Sequence, residues 1–99
     1  MYFIIWEYQV RSERLTEFEE IYSARGAWVE LFQKSNGYLG TELLSDEAHP
    51  HRYITIDRWV SSEEYESFLS EWKNEYTDLD TRCEGLTERE NLLGRWETH

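Results

Sequence analysis

Apolar and polar positions alternate from Tyr2 to Val10, so Tyr2, Ile4, Trp6, Tyr8 and Val10 share one face of a predicted strand. The period then changes. Leu15, Phe18, Ile21 and Tyr22 recur at helical spacing, with Ser12 as the expected N-cap. Gly26 interrupts that stripe before Trp28, Leu31 and Phe32 resume it, which predicts a broken helix, or two helices, across 13–34. Asn36-Gly37 is expected to end it, because glycine tolerates the left-handed conformation used at helix termini. Strands over Tyr38 to about Leu44 and Arg52 to Val60 flank a polar loop, Ser45–His51, as in a hairpin with a long connection. Ser61 and Glu64 have capping-box spacing. The helix they open sets Tyr65, Phe68, Leu69, Trp72 and Tyr76 on one face. A short helical turn around Asp80–Glu84, ending at Gly85, and a last strand over 88–96 complete the chain.

The order βαββαβ predicts a single α+β domain over residues 1–99. In this ferredoxin-like arrangement, right-handed crossovers put the helices on one face of a four-stranded antiparallel sheet. The opposite face needs explaining. Phe3 and Ile5 lie on the second side of the first strand. In the third strand Ile54 and Ile56 oppose Tyr53 and Trp59. With apolar residues on both faces, one surface needs a cover that so short a chain does not supply. A homodimer with sheets packed face to face is the expected solution.

Composition sharpens this picture in three ways. Sixteen aromatics supply much of the apolar content, so stability rests on a few large rings. A net charge of −11 argues against nucleic acid or an anionic membrane as partner, since phosphate-binding surfaces need clustered Lys and Arg. The single cysteine, Cys83, leaves no internal disulfide and fits a reducing, cytoplasmic setting. Its apolar surroundings suggest a core residue. The opening MYFIIWEYQV reads as neither a signal peptide nor a membrane span.

The Gly37-Tyr38 entry to the second strand, and a third strand ending at Trp59 before Ser61, Ser62, Tyr65 and Phe68, extend the match along nearly the whole chain. On these features the chain resembles the antibiotic biosynthesis monooxygenase-like family of dimeric α/β barrels. Some members of that family oxidise polycyclic aromatic phenols with O₂ and no cofactor. Others bind and open haem, and others have no assigned activity. The haem-degrading pattern has an Asn on the first strand, a Trp ending the third, and a His on the following helix as iron ligand. Trp59 matches the Trp, but Glu7 stands in place of the Asn, and Leu69 and Ser70 stand where the His would fall, so no haem is expected. The cofactor-free pattern matches at Trp59 and Tyr65, has Thr55 in place of an Asn and has Leu79 near the position of an Arg.

The resemblance implies a homodimer binding a small aromatic or quinone-like molecule, with cofactor-independent oxidation by O₂ as the candidate reaction. A non-catalytic ligand-binding or interaction module on the same fold is the alternative. The reaction would need a base, donors for an oxyanion and a dry aromatic pocket. Asp57 or Glu7 could be the base if burial raises its pKa. Arg58 or Tyr65 could stabilise the anion. Trp59, Trp28, Tyr22 and Trp72 could form the walls. Several have a plainer reading: Trp28 and Trp72 as core, Tyr65 as packing, and Asp57 and Arg58, on opposite strand faces, each pairing across the sheet or the dimer interface. Asp46, Glu47, His49 and His51 share one loop. No further His or Cys cluster completes a metal site, so a solvated hairpin tip and no metal are expected.

Overall fold

A computed structural model describes residues 1–99. It places β1 (Tyr2–Val10), β2 (Tyr38–Ser45), β3 (Arg52–Trp59) and β4 (Thr87–Glu97) in one antiparallel sheet, in the order β2-β3-β1-β4. Helices α1 (Leu15–Tyr22), α2 (Ala27–Phe32), α3 (Ser62–Glu71) and α4 (Lys73–Cys83) cover one face of it. The register explains which face. Tyr2 stands opposite Trp59, Ile4 opposite Asp57 and Tyr8 opposite Tyr53, so the even positions of β1 and the odd positions of β3 look the same way. Those are the positions that bury: Ile4, Val10 and Trp59 are all but inaccessible.

Rings make up most of the core. Phe18 stacks on Tyr22 at 4.2 Å, and Trp59 meets Phe32, Tyr38, Tyr65 and Phe68 at 5.2–5.5 Å between centroids. Each such pair adds roughly 0.5–1.5 kcal/mol beyond area burial, so the aromatic richness of the chain is spent on one continuous cluster.

Several local expectations are corrected. Ser12 does not cap α1. It opens a 3-10 turn, Ser12–Arg14, and its hydroxyl donates to Glu13, leaving α1 to begin at Leu15 without a side-chain cap. Gly37 is not left-handed, since positive φ occurs only at His51 and Gly40. It is small because α3 comes close: a Cβ there would fall 2.5 Å from Cβ of Glu64. Gly26 is a second close approach, where a Cβ would fall 2.2 Å from the Ile21 carbonyl oxygen at the α1–α2 corner. The helix after Ser61 does not run straight to Tyr76. It breaks at Trp72 (φ −113°, ψ 28°), and α4 continues to Cys83, absorbing the short turn expected around Asp80. The reason is that Tyr76, Leu79 and Cys83 prolong the apolar stripe, and the last two are buried. Ser61 does cap α3, its Oγ accepting from the Glu64 amide at 3.2 Å.

No element of the chain covers the outer sheet face. Phe3, Ile5, Ile54 and Ile56 are half-buried there, and Leu44 and Trp96 are exposed. No helix is long and apolar enough to cross a membrane.

Candidate active site

A cavity of about 120 Å³, open on one side, lies between the helices and the inner sheet face. Ile4, Trp6 and Tyr8 of β1, with Thr41, Thr55 and Asp57 of β2 and β3, form its floor. Tyr22, Trp28 and Phe32 close it from α1 and α2; Tyr65, Tyr76 and Asp80 close it from α3 and α4; Glu90 of β4 completes the rim. The walls are therefore mostly aromatic, with a few convergent polar groups, the composition typical of small-molecule sites.

Asp57 is the polar centre of the floor. Its residue is only 8% exposed, and its Oδ1 accepts from Thr41 Oγ1 at 2.6 Å. Thr41 faces it because the two residues are paired across the β2–β3 ladder, just past a register shift between Tyr38 and Gly40. A threonine hydroxyl has one proton. With that proton given to Asp57, the 2.6 Å contact between the Tyr38 and Thr41 hydroxyls has Tyr38 as donor. Asp57 thus ends a directed relay, Tyr38 to Thr41 to Asp57. Its Oδ2 has no partner in the protein. Burial pushes the carboxyl up to about 6, against the opposing pull of the Thr41 hydrogen bond.

The phenols around it are held neutral. Burial raises the Tyr8, Tyr22, Tyr65 and Tyr76 hydroxyls above the ordinary tyrosine value, so each remains a donor at neutral pH. Tyr8 is paired with Thr55 at 3.1 Å. Trp28 Nε1 is buried and has no hydrogen-bond partner, as has Trp59 Nε1 behind the wall.

The lining includes no Lys, Arg or His. Arg95 comes nearest among the observed contacts, with its guanidinium 5.5 Å from the Tyr65 ring centroid and 3.9 Å from Glu66. Asp80 and Glu90 stand together at the rim. Burial, and then repulsion by Asp80, raise the Glu90 carboxyl above its ordinary value. The cavity offers neither imidazole nor thiol to an iron, burial disfavours the phenolate form its tyrosines would need as ligands, and no cation lines it for a propionate, so its residues do not fit haem.

Of the residues singled out in the sequence, the fold brings Asp57, Tyr65, Tyr22 and Trp28 to this cavity. The others lie elsewhere. Arg58 points to the outer face, where it sits over the Phe3 ring at 5.8 Å and pairs with Glu42 at 2.5 Å. Glu7 is on that outer face too, paired with Arg52. Trp59 is fully buried behind the cavity wall, between Phe32, Tyr38, Tyr65 and Phe68. Trp72 marks the α3–α4 break under the Lys34 ammonium. Leu69 and Ser70 line a separate shallow depression. His49 pairs with Asp46 at 3.3 Å in the hairpin loop, and no group of three or more His, Cys, Asp or Glu is arranged to hold a metal ion. Sequence reasoning did not assign Thr41, Tyr76, Asp80 or Glu90 to the site. Alternation could have placed Tyr8 beside Thr55, but Thr41 depends on the register shift in β2, whose one sequence signal is Gly40 inside the strand, at φ 140°.

A family model described as antibiotic biosynthesis monooxygenase matches residues 1–75. Among solved structures, SnoaB, a cofactor-independent oxygenase from Streptomyces nogalater, superposes with a TM-score of 0.80 at 17% identity, covering 99% of this chain and 92% of that one. A MhuD variant with two manganese protoporphyrin IX molecules bound per active site gives 0.73 at 19% identity, over 99% and 94%. A further structure, named as an antibiotic biosynthesis monooxygenase, gives 0.70 at 14% identity, over 100% and 99%. At these identities the likeness is one of fold. No curated protein matches the chain in sequence.

Proposed function

This chain belongs to the antibiotic biosynthesis monooxygenase family, and we propose that its cavity binds a small aromatic or quinone-like molecule and oxidises it with O₂ without a cofactor. One observation carries the reading: a buried carboxylate, Asp57, with one oxygen fixed by Thr41 and the other unpartnered, in a cavity walled by aromatic rings. A base held near pH 6 is ionised at neutral pH yet strong enough to take a proton from an activated phenol. In this mechanism the substrate ring enters between Trp28, Tyr22 and Tyr65, and Asp57 Oδ2 accepts its phenolic proton. The Thr41 hydrogen bond keeps the carboxylate from rotating. The resulting electron-rich anion gives an electron pair to O₂, forming a C–O bond at a ring carbon. The hydroperoxide so formed then breaks its O–O bond as the ring C–H proton leaves, releasing water and a quinone. The substrate supplies all the electrons, and O₂ is the sole oxidant. Tyr65 and Tyr76, kept protonated by burial, are the donors available to the developing oxyanion. That SnoaB, of the same fold, is named a cofactor-independent oxygenase supports the assignment.

The reading also includes a second copy of the chain, packed on the sheet face opposite the cavity. Apolar Phe3, Ile5, Ile54 and Ile56, with exposed Leu44 and Trp96, form a sheet face that a homodimer would cover.

Oxygen uptake with a panel of hydroquinones and polyphenols tests the reaction. Turnover that falls at least about tenfold in Asp57→Asn supports it, and an unchanged rate removes Asp57 as the base. The second reading, a ligand-binding module without chemistry, draws on the lack of any cationic side chain in the lining to stabilise an anion. It predicts binding across the panel with no oxygen consumed.

A further inference from the structure

We infer that the cavity is selective for a ligand carrying a positive charge: an aromatic ring bearing a protonated amine or quaternary ammonium group. This rests on the reading of the cavity as a ligand site and specifies what that ligand must be. Buried Asp57 lines the cavity and exposed Asp80 and Glu90 its rim, while the nearest cation, Arg95, stays outside the lining beside Glu66, so a bound anion would meet an excess of carboxylates and a cation would be attracted by them.

The walls favour the same ligand. Trp6, Trp28, Tyr8, Tyr22, Tyr65 and Tyr76 present aromatic rings to the interior. Ring faces attract cations through their quadrupoles, most strongly where water is excluded, and cages of this composition bind quaternary ammonium groups. Asp57, 8% exposed, lines the cavity with one carboxylate oxygen held by Thr41 and the other free of the protein, where a cationic group on the ligand can meet it. The net charge of −11 acts at longer range in the same direction, drawing cations to the molecule and repelling anions.

A charge preference also relates to the chemistry. Transfer of the phenolic proton to Asp57 moves a negative charge onto the ligand, in a cavity whose rim carries Asp80 and Glu90. If the substrate brings its own ammonium, the deprotonated ligand is a zwitterion and that cost falls.

Three ligands of matched size provide the test: meta-hydroxyphenyl-trimethylammonium, its neutral isostere meta-tert-butylphenol, and meta-hydroxybenzoate. Binding to the full chain is read by tryptophan fluorescence, since Trp6 and Trp28 line the cavity. The cation should bind at least about tenfold more tightly than the neutral isostere, and the benzoate most weakly of all. In the Asp80→Asn, Glu90→Gln double variant the ratio of cation to neutral affinity should fall to about threefold or less. Equal binding of cation and neutral isostere, or tightest binding of the benzoate, overturns the charge selectivity while leaving the cavity as a ligand site. A ratio unchanged in the double variant overturns the assignment to the rim carboxylates. Binding of none of the three overturns both readings together.

Discussion

Thr41 and Asp57 are sixteen positions apart in sequence, yet the Thr41 hydroxyl donates to Asp57 Oδ1 at 2.6 Å across the β2–β3 ladder. That hydrogen bond determines how the buried carboxylate is oriented and how readily it titrates. Removing it in Thr41→Val should raise the Asp57 pKa further above 6, because the hydrogen bond is the influence opposing burial. The acid limb of the activity or binding profile should move to higher pH, and Thr41→Ser should restore it. A profile unmoved by Thr41→Val would show that the contact has no effect on titration.

Asp57 also links function to stability. Its carboxyl lies near 3.8 in the unfolded chain and is pushed to about 6 by folding. The protonated form is therefore the better folded one. Its stabilising contribution is present in full below 3.8 and is lost as pH rises through about 6. At neutral pH the ionised group costs on the order of 3 kcal/mol. Asp57→Asn should remove that cost while still accepting from Thr41. The variant should be more stable than the natural chain by about 1–3 kcal/mol at pH 7.5, and the two should converge near pH 4. Urea denaturation across this pH range checks the sign, and a variant less stable at pH 7.5 would contradict it.

The α1–α2 corner should be intolerant of any side chain. A Cβ at Gly26 would lie 2.2 Å from the Ile21 carbonyl oxygen, and the obstruction is backbone, which cannot rotate away. Gly26→Ala is expected to destabilise by roughly 2–3 kcal/mol. Since Tyr22 and Trp28 flank the corner and line the cavity, ligand affinity should fall with it. Thermal melting and ligand titration read the two effects separately.

The uncovered sheet face predicts association. Sedimentation at micromolar concentration should give twice the 12.1 kDa mass of the chain. Ile56→Glu, at the centre of the outer face, should shift it to the single-chain mass while leaving the far-UV circular dichroism unchanged. A natural chain that sediments as a monomer would leave this face unexplained by self-association.

By itself, the sequence determined the element order, the apolar even face of β1 and the alternation of β3, because strand periodicity is a local property of the backbone. It also placed Tyr65, Tyr22 and Trp28 on stripes that face inward, and it indicated that Asp57 and Arg58 must point to opposite sides of the sheet. It did not say which of those sides would be covered by helices. Packing made that decision, turning Asp57 toward the rings and leaving Arg58 over Phe3 on the outer face. The extension of α4 past the Trp72 break brought Tyr76 and Asp80 to the cavity, opposite Glu90 of β4. The register shift near Gly40 did the same for Thr41. Those partners lie far apart in sequence and meet only through strand pairing and helix packing, so no local pattern encodes their meeting. The polar chemistry of the cavity is accordingly a property of the tertiary structure, built on a fold that local periodicity already specified.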